Sequence, residues 1–272
     1  MKLELLGVRG STPVCGKDKN KYGGCSPSAC LSLSAGEWIV VDAGTGIKKL
    51  GDRLARKMRE KPLQIHILLT HFHLDHIIGL PFFIPLYLPK ATLNFYADSS
   101  GELIRKHLSG LMAGRYFPLN LRETLSKKIF KKIPEKKFEI GELEVSCCPL
   151  RHPQGSLSYK IKDSKKQIVF ATDTEHPKNG LDERLVDFAR GADILIYDAM
   201  FTPEEYDSGR QGWGHSTWLA ATKVAKAADV RNLYFSHFNP DHSDKKIDRI
   251  ISLARQEFAN TFGAREGMKL SL

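Results

Sequence analysis

At 272 residues, 42% of them hydrophobic and 26% charged, the chain has a globular composition with enough apolar material for a sizeable core. No charged-then-apolar leader opens it, and the most apolar stretch, 77–88, is broken by Pro81 and Pro85 and falls short of the roughly 20 residues of a membrane span. A cytoplasmic protein without membrane contact is therefore expected. The formal charge of +10 favours anionic partners, and five cysteines, with Cys147 and Cys148 adjacent, argue against a disulfide framework. Cys15, Cys25 and Cys30 offer no Cys-x-x-Cys pair and read as reduced thiols rather than as an accessory metal site.

In chain order, residues 3–7 read as a first strand, followed by the tight loop Gly7-Val8-Arg9-Gly10-Ser11-Thr12-Pro13. Residues 17–28 are polar and Gly-rich, with Tyr22-Gly23-Gly24 as a turn. Strands are expected at 29–34 and 37–41, the second ending in Asp42-Ala43-Gly44-Thr45-Gly46. Ile47, Leu50, Leu54 and Met58 recur at helical spacing over 47–60, and 63–69 is an apolar run suited to a buried strand. The pattern then loosens, with a strand at 92–97 and a helix at 100–112. The basic run Ser126-Lys127-Lys128-Ile129-Phe130-Lys131-Lys132 reads as a solvated amphipathic face in preference to a phosphate-tracking patch. Strands at 138–140, 143–148, 157–162, 167–172 and 193–198 follow, with a helix at 181–190 before the last. A helix at 216–228, a strand at 232–236 and a helix at 245–258 finish the chain. Strands in runs, helices between them and no low-complexity linker predict an α/β protein. The expected architecture is one four-layer domain over 1–272, two sheets face to face with helices outside.

The chemistry concentrates where strand 63–69 ends. Thr70-His71-Phe72-His73-Leu74-Asp75-His76 gathers three histidines and an aspartate, and imidazole is the commonest ligand of zinc-like ions. A carboxylate among them suits a hard or borderline cation. Later strand ends repeat the pattern: His152 follows 143–148, Asp173 follows 167–172, and His237 closes 232–236. Any one of these would read as a cap or a structural histidine; together they read as a metal site.

The spacing His71-x-His73-x-Asp75-His76 resembles the signature of the metallo-β-lactamase superfamily. With the loops quoted above, Asp173-Thr174-Glu175 and Gly212-Trp213-Gly214-His215-Ser216-Thr217, the chain resembles over nearly its full length the ribonuclease Z-like, cyclic phosphodiesterase-like branch. The resemblance implies an αββα sandwich with two divalent ions, zinc ahead of manganese or iron. His71, His73 and His152 would hold one ion, Asp75, His76 and His237 the other, and Asp173 would bridge them. Asp42 would orient a loop or ligand without binding metal. Two such cations acidify a shared water to a bridging hydroxide, which Asp75 would help to orient. His215, before a helix capped by Ser216 or Thr217, would face the scissile phosphate as acid or anion stabiliser, with Glu175 holding it by hydrogen bond.

Two departures stand out. No long Gly/Pro-rich insertion resembles the tRNA-gripping arm of ribonuclease Z, and Cys25 stands where a polar residue is expected after Tyr-Gly-Gly. The implied function is hydrolysis of a cyclic nucleotide or short nucleic-acid phosphodiester. A thioester or lactone hydrolase is the alternative, and a catalytically silent nucleotide-binding protein a further one. A small anionic phosphodiester is the expected partner, with nucleic acid and a homodimer left open. His66, His107, His176 and His242 read as structural, with a third cation at His242, Asp241 and Asp244 as an alternative.

Overall fold

The apolar β-branched runs form strands. In the computed structural model of the chain, which describes residues 2–33, 36–58, 61–134 and 137–271, they assemble into two seven-stranded sheets with helices. Each sheet belongs to its own unit. The first comprises Met1–Gly7, Cys25–Pro134 and Glu266–Ser271, and the second Val8–Gly24 and Glu135–Arg265.

The first unit contains β1 (Lys2–Gly7), β2 (Ser28–Ser32), β3 (Glu37–Val41), β4 (Leu63–Leu68), β5 (Ala91–Ala97), β6 (Lys127–Lys132) and the late strand β14 (Lys269–Ser271). Their order is β14-β1-β2-β3-β4-β5-β6, antiparallel as far as β3 and parallel beyond it. Parallel neighbours need a crossover, and α1 (Ile47–Met58), α2 (Leu74–Ile77) and α3 (Gly101–Leu111) lie in those connections. The stripe Ile47, Leu50 and Leu54 of α1 is buried in one core with Val40, Ile65, Ile67, Leu93 and Phe95, which is why the helical spacing was legible. Residues 59–60 of the expected helix and Ser34 of the expected strand lie outside the described residues. The carboxyl ends of the parallel strands β3 and β4 deliver Asp42 and the Thr70–His76 run, the end at which open α/β sheets place their ligands.

The basic run at 126–132 keeps the amphipathic character expected of it, with Lys127, Lys131 and Lys132 exposed and Ile129 and Phe130 half-buried, but it does so as a strand. Residues 127–132 are the edge strand β6, paired parallel to β5 from Thr92↔Lys127 to Ala97↔Lys132. Phe130 stacks on Phe95 at 5.3 Å, Lys131 Nζ lies 5.3 Å over the Tyr96 ring, and Lys128 Nζ donates to the Thr124 and Ser126 carbonyls. Lysines suit an edge strand because they discourage further strand pairing.

The second unit contains β7 (Lys137–Ile140), β8 (Leu143–Leu150), β9 (Ser156–Lys162), β10 (Gln167–Ala171), β11 (Ile194–Asp198), β12 (Asn232–Ser236) and β13 (Thr261–Gly263). Strands β7 to β10 pair antiparallel and β10 to β13 parallel, so three antiparallel junctions precede three parallel ones in both sheets. The chain uses one topological plan twice. Between the parallel strands lie α4 (Glu183–Ala189), α5 (Pro203–Asp207), α6 (Trp218–Ala227) and α7 (Asp244–Glu257). Thr217, rather than Ser216, caps α6 by accepting from the Ala220 N–H. No helix among the described residues is long and apolar enough to cross a membrane.

Candidate metal centre

In the first unit the chain leaves β3 through Asp42, whose φ of 59° is a left-handed conformation uncommon outside glycine. That bend turns its carboxylate toward the end of β4. There it accepts from the Thr70 N–H at 2.8 Å, from the Thr70 hydroxyl at 3.0 Å and from His76 Nδ1 at 2.9 Å. Asp42 thus orients ligand-type side chains from behind.

The tautomers follow. The one hydroxyl proton of Thr70 goes to Asp42, so the contact of Thr70 Oγ1 with His71 Nδ1 at 3.0 Å has the imidazole as donor. His76 Nδ1–H likewise donates to the Asp42 carboxylate. In both rings the lone pair then sits on Nε2, the arrangement in which a histidine held by an oxygen presents its other nitrogen to a metal. The His73 and His76 rings lie 4.4 and 4.3 Å from that of His71, and His76 Nε2 is 3.3 Å from the Asp75 carboxylate. His71, Asp75 and His76 are buried.

The second unit repeats the device. Asp173 and His237 leave β10 and β12 with φ of 58° and 57°. One donor atom from each of Asp173, Asp198, His215 and His237 lies within 4.8 Å of the others, all four residues being buried. His237 Nε2 is 3.2 Å from Asp173, and the His215 and His237 rings stack at 4.9 Å. His152 donates Nδ1–H to the Gly214 carbonyl at 2.8 Å, which again leaves the lone pair on Nε2, and its ring is 5.3 Å from that of His215. Gly214, at φ 83°, has to be glycine: a Cβ there would run into the His152 ring. Histidine Nε2 atoms flanked by carboxylates fit a divalent cation of the zinc, manganese or iron kind.

Asp198, at the end of β11, went unrecognised in the sequence. Its carboxylate accepts from His215 Nδ1 at 2.9 Å, from the Asp173 N–H at 3.0 Å and from the Ser216 N–H at 3.2 Å. The available signal was a carboxylate closing an apolar strand, as at Asp42. Glu175 needs the matching correction. It does not hold His215; its two oxygens accept from the Tyr206 hydroxyl at 2.6 Å, the Gly212 N–H at 2.7 Å and the Gly214 N–H at 2.9 Å. Burial pushes its carboxyl up, but these donors together hold it below the usual range, so it stays charged and fixes the 212–214 loop over His152.

A cleft of about 1040 Å³ adjoins this cluster within the second unit, its charged lining made of Arg151, Lys178 and Lys223 with Glu175 and Asp207, and His152 and His176 beside them. Burial lowers the pKa of His176, whose Nδ1 meets the Ser216 hydroxyl at 3.0 Å. The other histidines are structural, as expected. His66 lies between Glu37 at 2.7 Å and Tyr96 at 3.1 Å, and His107 sits in α3 against Phe72. His242 bonds Glu205 at 2.9 Å, while Asp244 faces Arg9 and the Lys21 N–H. All five cysteines are free thiols, and among the described residues none joins a group of prospective metal ligands.

Comparison with known proteins places these features in a family. A sequence model described as the beta-lactamase superfamily domain matches residues 37–238. A protein named ribonuclease Z from Prochlorococcus marinus (strain MIT 9515) is 26% identical, covering 98% of either chain. The metallo-beta-lactamase fold protein YhfI from Bacillus subtilis superposes with a TM-score of 0.74 at 20% identity, covering 99% of this chain and 98% of that one. A diphosphatase of the PhnP family does so with a TM-score of 0.72 at 20% identity, covering 100% and 97%.

Proposed function

We start from the fact that the chain belongs to the β-lactamase superfamily, and propose that it is a binuclear metal-dependent phosphodiesterase acting on a small anionic phosphodiester. The observation that carries the reading is the set of three histidines, His71, His76 and His152, each held at Nδ1 by an oxygen so that Nε2 is the ligating nitrogen. In this reading the two units act as one domain over 1–272, in the cytoplasm. His71, His73 and His152 would hold one ion and Asp75, His76 and His237 the other, with Asp173 as a further ligand. When bound, such a pair supplies an acidified water and charge to offset the phosphoryl oxygens.

The chain's own residues do the rest. Asp75 orients the attacking water. Asp198 accepts from His215 Nδ1 and fixes that ring, so that Nε2 is the nitrogen that hands a proton to the leaving oxygen. Glu175 acts from a distance, by holding the loop that carries the His152 partner Gly214. Arg151, Lys178 and Lys223 outnumber Glu175 and Asp207 in the lining of the neighbouring cleft, and that balance favours an anion there.

A panel of bis(p-nitrophenyl) phosphate, cyclic mono- and dinucleotides, short RNA, a thioester and a lactone, offered to zinc- or manganese-reconstituted protein, tests the reading. Turnover of phosphodiesters without thioester or lactone turnover is expected. Dominant thioester hydrolysis that survives His215→Ala would contradict it. Cleavage confined to RNA would move the substrate toward that of the ribonuclease Z relative.

A further inference from the structure

The segment Val8-Arg9-Gly10 runs beside the exit of β12. The Phe238 N–H donates to the Val8 carbonyl at 2.9 Å, the Gly10 N–H donates to the Phe238 carbonyl at 3.0 Å, and Gly10 lies so close to the His237 ring that a Cβ would collide with it. Arg9, between them, is 0% exposed. Its guanidinium donates to three main-chain carbonyls: Gly23 at 2.9 Å, Asn239 at 3.1 Å and His242 at 2.8 Å. Asp244, at 3.8 Å, supplies the countercharge.

Those carbonyls belong to loops: the Asn239 carbonyl also accepts the His242 N–H at 3.0 Å, closing the turn, while the buried carbonyl of His242 accepts from Arg9, and a buried carbonyl needs a donor. Two of them lie on 239–242, the loop that begins at His237 in its left-handed conformation. A planar fork with fixed donors can hold several carbonyls at set angles, whereas a lysine offers a point charge on a flexible stem.

We propose that Arg9 is a positioning residue for His237. It straps the loop that follows His237 and so holds the left-handed turn that aims the imidazole. The inference rests on the proposed binuclear reading for what His237 ligates, but not for the strap itself.

Two readouts separate these. In metal-free protein, Arg9→Lys shifts or broadens the His237 imidazole ¹⁵N signals, while Tyr22→Phe, which removes only the hydroxyl bonded to Asp248, leaves them in place. In Co²⁺ titrations against a competing chelator, Arg9→Lys keeps one tight equivalent and binds the other about 10- to 100-fold more weakly, the range for partners that orient a metal's ligands. In a His237→Ala background the same change adds nothing further. If Arg9→Lys does not fold, Arg9→Gln, which keeps an amide donor and buries no charge, takes its place.

Unmoved His237 signals overturn the proposal, as does an equal loss of Co²⁺ affinity with and without His237. Collapse of both Arg9 variants while Tyr22→Phe folds also overturns it, because Arg9 then serves the fold at large. Wild-type protein that takes up no Co²⁺ contradicts the binuclear reading alone, and the imidazole signals still decide the strap.

Discussion

Asp42, Asp173 and His237 share a left-handed backbone at the exit of a strand, with φ of 59°, 58° and 57°. Each such conformation costs about 1–3 kcal/mol, and it persists only where its surroundings fix it. At Asp42 the fixing groups are the Thr70 N–H and hydroxyl and the His76 ring; at Asp173 the Asp198 carboxylate does so. These residues were legible as residue types: histidines and aspartates at strand ends are costly unless they bind something. Asp198 was not, because a lone aspartate after Ile194–Tyr197 looks like an ordinary cap. Glu175 was misassigned because closeness to Asp173 in sequence says nothing of which way the side chain turns. His215→Ala is expected to lower phosphodiester kcat by roughly 10²- to 10⁴-fold, the usual share of a general acid, with metal content unchanged. Asp198→Asn should lower kcat too, since it removes the charge beside His215 and puts an amide NH2 where one of two oxygens, each accepting two N–H groups, now stands. Steady-state kinetics alongside metal analysis check both, and wild-type kcat in His215→Ala would remove His215 from the chemistry.

At the scale of elements, buried strands and crossover helices were readable, because parallel strands covered on both faces show as apolar runs and helices as stripes. The edge strand β6 was not, because its lysines alternate poorly with apolar residues and its strand character comes from pairing with β5. The strands β13 and β14, three residues each, carry too little sequence for any period to show. Phe95, fully buried and stacked on Phe130, anchors the first sheet; Phe95→Ala should destabilise the protein by about 3–5 kcal/mol in denaturant titrations. His66 gives the same sheet a pH dependence. Burial lowers its pKa below the ordinary 6.5, against the opposing pull of Glu37. The unfolded chain therefore takes the proton first on acidification. Stability from this group is complete above about pH 6.5 and falls as the pH drops below it toward the folded pKa. Urea midpoints from about pH 7.5 down to 5 should decline less steeply in His66→Gln than in wild type. Equal slopes would mean that His66 is not held neutral.

Across the whole molecule, one topological plan used twice puts ligand-type residues at the ends of parallel strands in both units. That duplication explains why the signature at His71–His76 indicates a metal but leaves the reaction open: the proposed acid His215, its orienter Asp198 and the cleft cations all come from the second unit. The proposed function requires two ions to act together on a phosphodiester. Titrating metal-free protein with zinc or manganese, while following bound equivalents and bis(p-nitrophenyl) phosphate turnover in the same samples, tests it most directly. Turnover should rise only as the second equivalent fills; full turnover at one equivalent or none, or two bound equivalents with no phosphodiester turnover, is incompatible with a two-ion reaction.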